Sequence, residues 1–212
     1  MRVRRLLWTA TVVLLAMAAI VRPAAAEDVD SAKQLVTTIV DDGLATFRGK
    51  QLSLEERGRL LAEKIRRYAD PTRTSAQMLG RFWGRADQAM QTKFSALLVD
   101  YIVDTWSGQL SDIPASQKIA ISGVETNADG VLVHTTATSD EDTPSAVDWL
   151  IARAADGRMV VTDVTVDGVS LIKTMSADFM SVLRGNGGKV DGMMDAISKK
   201  IASHATGAAP AK

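Results

Sequence analysis

The chain has 212 residues with 25 basic and 25 acidic side chains, two histidines and no cysteine. No disulfide can stiffen it, and His134 and His204 lie far apart in sequence, which argues against a zinc site or histidine-based catalysis. Four of its arginines stand in the first 22 residues; without them 21 basic residues face 25 acidic ones, a net charge of −4 that argues against nucleic-acid binding.

The first 26 residues read as an export signal. Arg2, Arg4 and Arg5 form a basic start, Leu6 to Val21 is apolar, and Ala24-Ala25-Ala26 supplies the small residues of a cleavage site before Glu27. The apolar run is shorter than the ~20 residues of a spanning helix. Cleavage after Ala26 leaves one domain, residues 27–204, and a small-residue tail, 205–212, expected to be disordered.

Residues 28–49 carry Leu35, Ile39, Val40, Leu44 and Phe47 at helical spacing, closed by Gly49. Ser53-Leu54-Glu55-Glu56 is a capping box ahead of Leu60, Leu61, Ile65 and Tyr68. Asp70-Pro71 restarts the chain as cap and first helical residue of a third helix bearing Met78, Leu79, Phe82 and Trp83. A long helix from Asp87 to Ser107 presents Met90, Phe94, Leu97, Leu98, Tyr101, Ile102 and Trp106. Such stripes usually fill a core; here their flexible and aromatic members also suit a cavity wall.

From Lys118 the apolar period becomes two. Strands are predicted at 118–124, 131–138, 146–153 and 158–166, with Asx- and Gly-rich turns between them, which implies an antiparallel meander. Gly168 ends the last strand, and helices are predicted at 169–183 and, after Gly185-Asn186-Gly187-Gly188, through Val190, Met193, Met194, Ile197 and Ile201. The fold class is therefore α+β: helices packed on one face of a curved four-stranded antiparallel sheet, forming a cone with an apolar pocket.

If Arg153 and Arg158 close the last hairpin, Trp149 faces Thr162, Ile151 faces Val160 and Val147 faces Val164, giving with Val166 one apolar face. The other face then sets Asp148 opposite Asp163. Such a pair can share a proton and act as acid and base. It can equally cap turns, bind arginine or sit in water, and no His or Tyr in the hairpin completes a catalytic set.

Three motifs in order carry a family resemblance. Gln77-Met78-Leu79-Gly80-Arg81-Phe82-Trp83 with Phe94 and Tyr101 is the first. Val147-Asp148-Trp149, Gly157, Val161, Asp163-Val164 and Asp167-Gly168-Val169-Ser170-Leu171 make the second, and Gly187-Gly188-Lys189-Val190-Asp191-Gly192-Met193 the third. The chain resembles the MlaC-type periplasmic phospholipid-binding proteins, the toluene-tolerance auxiliary family, from about Leu35 to Lys200. It departs from their pattern at Asp70-Pro71, at the short Gly84–Asp87 turn and at Trp106, and a hopanoid-associated, HpnM-like branch is an alternative placement.

The resemblance implies a non-enzymatic periplasmic carrier without a cofactor. Such a carrier shuttles phospholipid, or in the alternative a hopanoid, between an outer-membrane lipoprotein complex and an inner-membrane ABC transporter. Burial is worth about 0.8 kcal/mol per methylene, so a diacyl tail of ~30 methylenes stands roughly 24 kcal/mol from water, and a carrier must keep it dry. The expected lining is Met78, Leu79, Phe82, Leu97, Leu98, Tyr101, Val147, Trp149, Ile151, Val164, Val166 and Val169, with Val169 at the cone mouth. Two other classes stay open: an enzyme on the same cone using Asp148 and Asp163, and a docking scaffold with a solid core.

Overall fold

The computed structural model describes residues 24–111 and 113–205. The export signal falls outside them except for Ala24–Ala26, and so does the tail beyond Ala205.

Helix α1 spans Ala24–Phe47, longer at its start than the periodicity alone suggests, because the alanines before Glu27 are strong helix formers. Helix α2, Leu54–Tyr68, opens on the expected capping box. The Ser53 hydroxyl accepts from the Glu56 amide at 3.2 Å, and the Glu56 carboxylate accepts from the Ser53 amide at 2.9 Å. Helix α3, Pro71–Leu79, is capped by Asp70, which accepts from the Arg73 amide at 3.0 Å. It stops earlier than expected. Gly80 takes φ 49°, and Phe82 and Trp83 sit on a separate 3-10 stretch, Gly80–Arg85. Helix α4, Gln88–Trp106, starts on an Asp87 cap.

The sheet has five strands in the order β1-β2-β3-β4-β5, all antiparallel: Lys118–Asn127, Gly130–Thr138, Ser145–Arg153, Met159–Val166 and Val169–Ser170. The fifth strand corrects the expected four. Asp167 and Gly168 both have positive φ, 48° and 82°, which makes them a two-residue hairpin turn rather than a helix start. The Asp167 carboxylate accepts from the Ser145 hydroxyl at 2.8 Å and the Ala146 amide at 2.9 Å, fastening this turn to the start of β3. Helix α5 therefore runs Leu171–Gly185, capped by Ser170, and α6 runs Val190–Ala205.

The β3–β4 register also differs from expectation, in two single-residue steps. Arg153 pairs with Met159, not Arg158, and a bulge between Leu150 and Ile151 leaves Thr162 as the extra residue. Trp149 consequently stands opposite Val164 and Val147 opposite Val166, while Ile151 meets Val161. Asp148 now faces Thr165, and Asp163 faces Leu150. The pairing expected from Arg153 opposite Arg158 would have set two carboxylates directly opposite each other, which is unfavourable. The extra residue costs little, because the Thr162 hydroxyl donates to the Leu150 carbonyl at 3.1 Å.

Two apolar clusters result. Val36 and Val40 of α1 pack on Val131, Val133 and Ile151 of the sheet. Helices α3, α4, α5 and α6 form a second core around Phe94, Leu98, Phe179, Leu183 and Met193, with Phe179 edge-on to both Phe94 and Tyr101. The space between the clusters is not filled.

Candidate functional site: an apolar cavity between sheet and helices

A cavity of about 370 Å³ lies between α1, α2, α4, the start of α5 and the inner face of the sheet. Helix α1 supplies Ile39, Leu44 and Phe47; α2 supplies Leu61 and Ile65; α4 supplies Leu98, Ile102 and Trp106. Ile119, Trp149, Val161 and Val164 come from the strands, and Leu171, Ile172 and Met175 close the side towards α5. Leu44, Leu61, Ile65, Ile102, Trp106, Trp149 and Val164 are only half-buried. Large apolar side chains in a packed interior lose nearly all their surface. These keep some of theirs because they border a hollow.

The wall is held by polar groups set behind it. The Trp149 indole N–H donates to the Thr135 hydroxyl at 3.1 Å, and that hydroxyl donates to the Val147 carbonyl at 2.6 Å. The chain fixes the orientation of Trp149, which also borders the cavity. Asp163 reaches the lining, but both its oxygens are engaged: it accepts from the Ser170 hydroxyl at 2.5 Å and from the Ile172 amide at 3.1 Å, pinning the start of α5. Asp148 bonds the His134 imidazole at 2.8 Å. The two aspartates thus have separate structural partners, and the face-to-face opposition expected from the simple register does not form.

One polar cluster reaches the cavity itself. Lys64 and Tyr68 both line it, and both donate to Asp42, at 2.7 and 2.6 Å. The Lys64 bond foremost, with the Tyr68 bond, holds the Asp42 carboxyl below its ordinary range. Burial, then the bond to Asp42, pushes the Tyr68 phenol up. Among the described residues no group of three or more His, Asp or Glu side chains is placed to hold a metal ion.

Of the twelve residues expected to line a pocket, Leu98, Trp149 and Val164 border this cavity. Met78, Leu79, Leu97 and Tyr101 are buried in the helical core, with Phe82 packed against it. Ile151 belongs to the core between α1 and the sheet. Val147 and Val166 are half-buried on the strands away from the cavity, and Val169 is 56% exposed on the β4–β5 hairpin. The sequence reading missed most of the wall: Leu61 and Ile65 on α2, Ile39 and Leu44 on α1, and the α5 start. Their helical spacing was visible, but the same spacing serves a solid core.

A family model described as the MlaC protein matches residues 37–199. The chain belongs to the MlaC family. That span includes every element from the second half of α1 to the last turns of α6, so the whole cavity lies within the MlaC match. A solved structure, the phospholipid-binding protein from Ralstonia solanacearum in complex with a phospholipid, has a TM-score of 0.73 to this chain at 28% identity. The alignment covers 82% of this chain and 99% of that one. No curated protein sequence matches the chain significantly.

Proposed function

We infer that this protein is a non-enzymatic carrier that buries the acyl chains of a phospholipid in the cavity between α1, α2, α4, α5 and the sheet. The observation that carries this reading is the hollow itself: about 370 Å³ walled by half-buried aliphatic and indole side chains, where a solid core would have closed. Volumes of ~300–1,000 Å³ are usual for ligand sites, and an apolar wall with few polar groups suits hydrocarbon rather than a polar metabolite. The structure of the related Ralstonia protein, similar over nearly its full length, is that of a complex with a phospholipid.

Membership of the MlaC family supports the finer reading. The chain is exported, its first 26 residues are removed, and it works in the periplasm. There it exchanges phospholipid between an outer-membrane lipoprotein complex and an inner-membrane ABC transporter. The transport logic is physical: two acyl chains cannot cross an aqueous space unaided, and burial in a hydrophobic cavity lowers that barrier.

Native mass spectrometry with lipid extraction, on protein purified from a bacterial periplasm, tests this. Phospholipid at about one molecule per chain is the expected result. A protein that arrives empty and takes up only a hopanoid moves the ligand to polycyclic lipids. A protein that takes up neither overturns the carrier reading.

A further inference from the structure

The geometry points to a headgroup site at the rim of the cavity, in which Lys64 and Arg67 bind the phosphodiester of a glycerophospholipid while Asp42 holds Lys64 in position. This rests on the carrier reading and adds to it the part of the lipid that the apolar wall cannot recognise.

The cluster runs from the cavity wall outward. Lys64 and Tyr68 line the cavity, and the Lys64 side chain is only 16% exposed, unusual for a lysine. Asp42 is 26% exposed and Arg67 56%, so the cluster leads from the hydrocarbon-lined space to water. A bound diacyl lipid must place its ester and phosphate groups along such a path, because its tails are buried and its head stays wet.

The donors suit a phosphate. An ammonium carries three N–H donors, and the only acceptor Lys64 has among the described residues is Asp42 at 2.7 Å, leaving two to offer. The Arg67 guanidinium stands 3.9 Å from Asp42, beyond hydrogen-bonding distance, and touches Glu63 only at 3.5 Å across an exposed helical pair. It also lies over the Tyr68 ring, 5.9 Å from its centroid, and interacts with the phenol. Contacts this exposed are weak, so the guanidinium can exchange them for a phosphate oxygen. Asp42 accepts from Lys64 and Tyr68 with one oxygen each. It spans α1 and α2 and keeps the ammonium on the wall, so it acts as a positioning residue. An uncharged lipid would leave Lys64 with nothing but Asp42.

The test compares two lipids that share their tails. Purified, delipidated protein is mixed with vesicles carrying fluorescent-acyl phosphatidylglycerol or fluorescent-acyl diacylglycerol, and lipid retained after gel filtration is titrated. The wild type is expected to hold phosphatidylglycerol about tenfold more tightly, the scale of one charge-assisted contact. Lys64→Gln should lose that preference while still taking up diacylglycerol, which reports that its cavity is folded, and Lys64→Arg should restore most of it. Equal binding of the two lipids by the wild type, or an undiminished preference in Lys64→Gln, overturns the headgroup site and leaves the cavity reading standing. Should Lys64→Gln fail to fold, Arg67→Gln, which alters only an exposed side chain, must reduce the preference or the site is refuted. Binding of neither lipid by the wild type overturns the carrier reading and the headgroup site with it.

Discussion

Trp149 and Val164 are directly opposed across the β3–β4 ladder, and both line the cavity. Fourteen residues of hairpin separate them in sequence, so the register of that hairpin decides what the sheet shows to a ligand. A carboxylate at Val164 would be introduced into an apolar wall, and withdrawing a charge from water there is costly. Val164→Glu is therefore expected to cut lipid retention at least tenfold, read as lipid per chain by native mass spectrometry. Val169→Glu is the matched control. Val169 is 56% exposed and lies off the cavity, so the same charge there should leave retention within twofold of wild type. The sequence alone suggested the reverse, because it placed Val169 at a helix start by the mouth; the two-residue turn at Asp167-Gly168 carries it out to the surface instead.

The hydroxyl of Thr135 accepts from the Trp149 indole and donates to the Val147 carbonyl, and Thr135 is 1% exposed. Thr135→Val keeps the shape and removes both bonds. Leaving buried polar groups unpaired costs about 1–3 kcal/mol. Urea unfolding should show a loss in that range. Trp149 fluorescence should broaden or shift as the indole loses its fixed orientation. An unchanged midpoint would mean the threonine is not what holds the indole.

Gly130 begins β2 at φ 150°, and a Cβ built there would stand 2.2 Å from the Ile151 carbonyl oxygen, a backbone atom that cannot move aside cheaply. Gly130→Ala combines a disfavoured backbone conformation with that clash. The expected cost is more than about 2 kcal/mol, seen as a lower urea midpoint. Gly157→Ala meets nothing within 4 Å and carries only the conformational penalty at φ 86°, so it should cost less. If the two variants unfold alike, the close approach between the β1–β2 turn and β3 is not tight in solution.

Most of the architecture was legible because local chemistry decides it. The Ser53–Glu56 box, the Asp70-Pro71 restart and the switch to period two at Lys118 each fix an element boundary through nearby atoms alone. The bulge at Thr162 was not legible. It adds one residue inside an alternating run, and nothing in Val160-Val161-Thr162-Asp163 distinguishes an extra residue from a regular one. Nor was the step at the hairpin end legible, where Arg153 takes Met159 rather than Arg158; that step alone already separates Asp148 from Asp163. The cavity wall was hidden for a related reason. Leu97 and Leu98 are neighbours on α4, yet Leu98 meets the cavity and Leu97 belongs to the core alone. Both satisfy the same amphipathic pattern. Which of them meets a hollow depends on how far α2 stands from the sheet, a quantity set by tertiary packing and absent from periodicity.

The Asp42 cluster gives the protein an acid-sensitive tie between α1 and α2. The Asp42 carboxyl is held below its ordinary value of 3.8 by the hydrogen bonds from Lys64 and Tyr68. A carboxyl with a depressed folded-state pKa contributes stability that is fully present above its unfolded value. That contribution is lost as pH falls through the lower, folded value. Wild type and Asp42→Asn should therefore differ in Tm by a constant amount from pH 7 down to about pH 5. Below pH ~4 the difference should shrink progressively, and it should vanish only once pH has passed through the lowered folded value, where the wild-type carboxyl becomes neutral as the amide is. Exposure of the group to solvent keeps the effect modest. The check is thermal unfolding by circular dichroism across that range. A difference that stays level into strong acid would show that the variant is weakened by altered packing rather than by loss of the charge on Asp42.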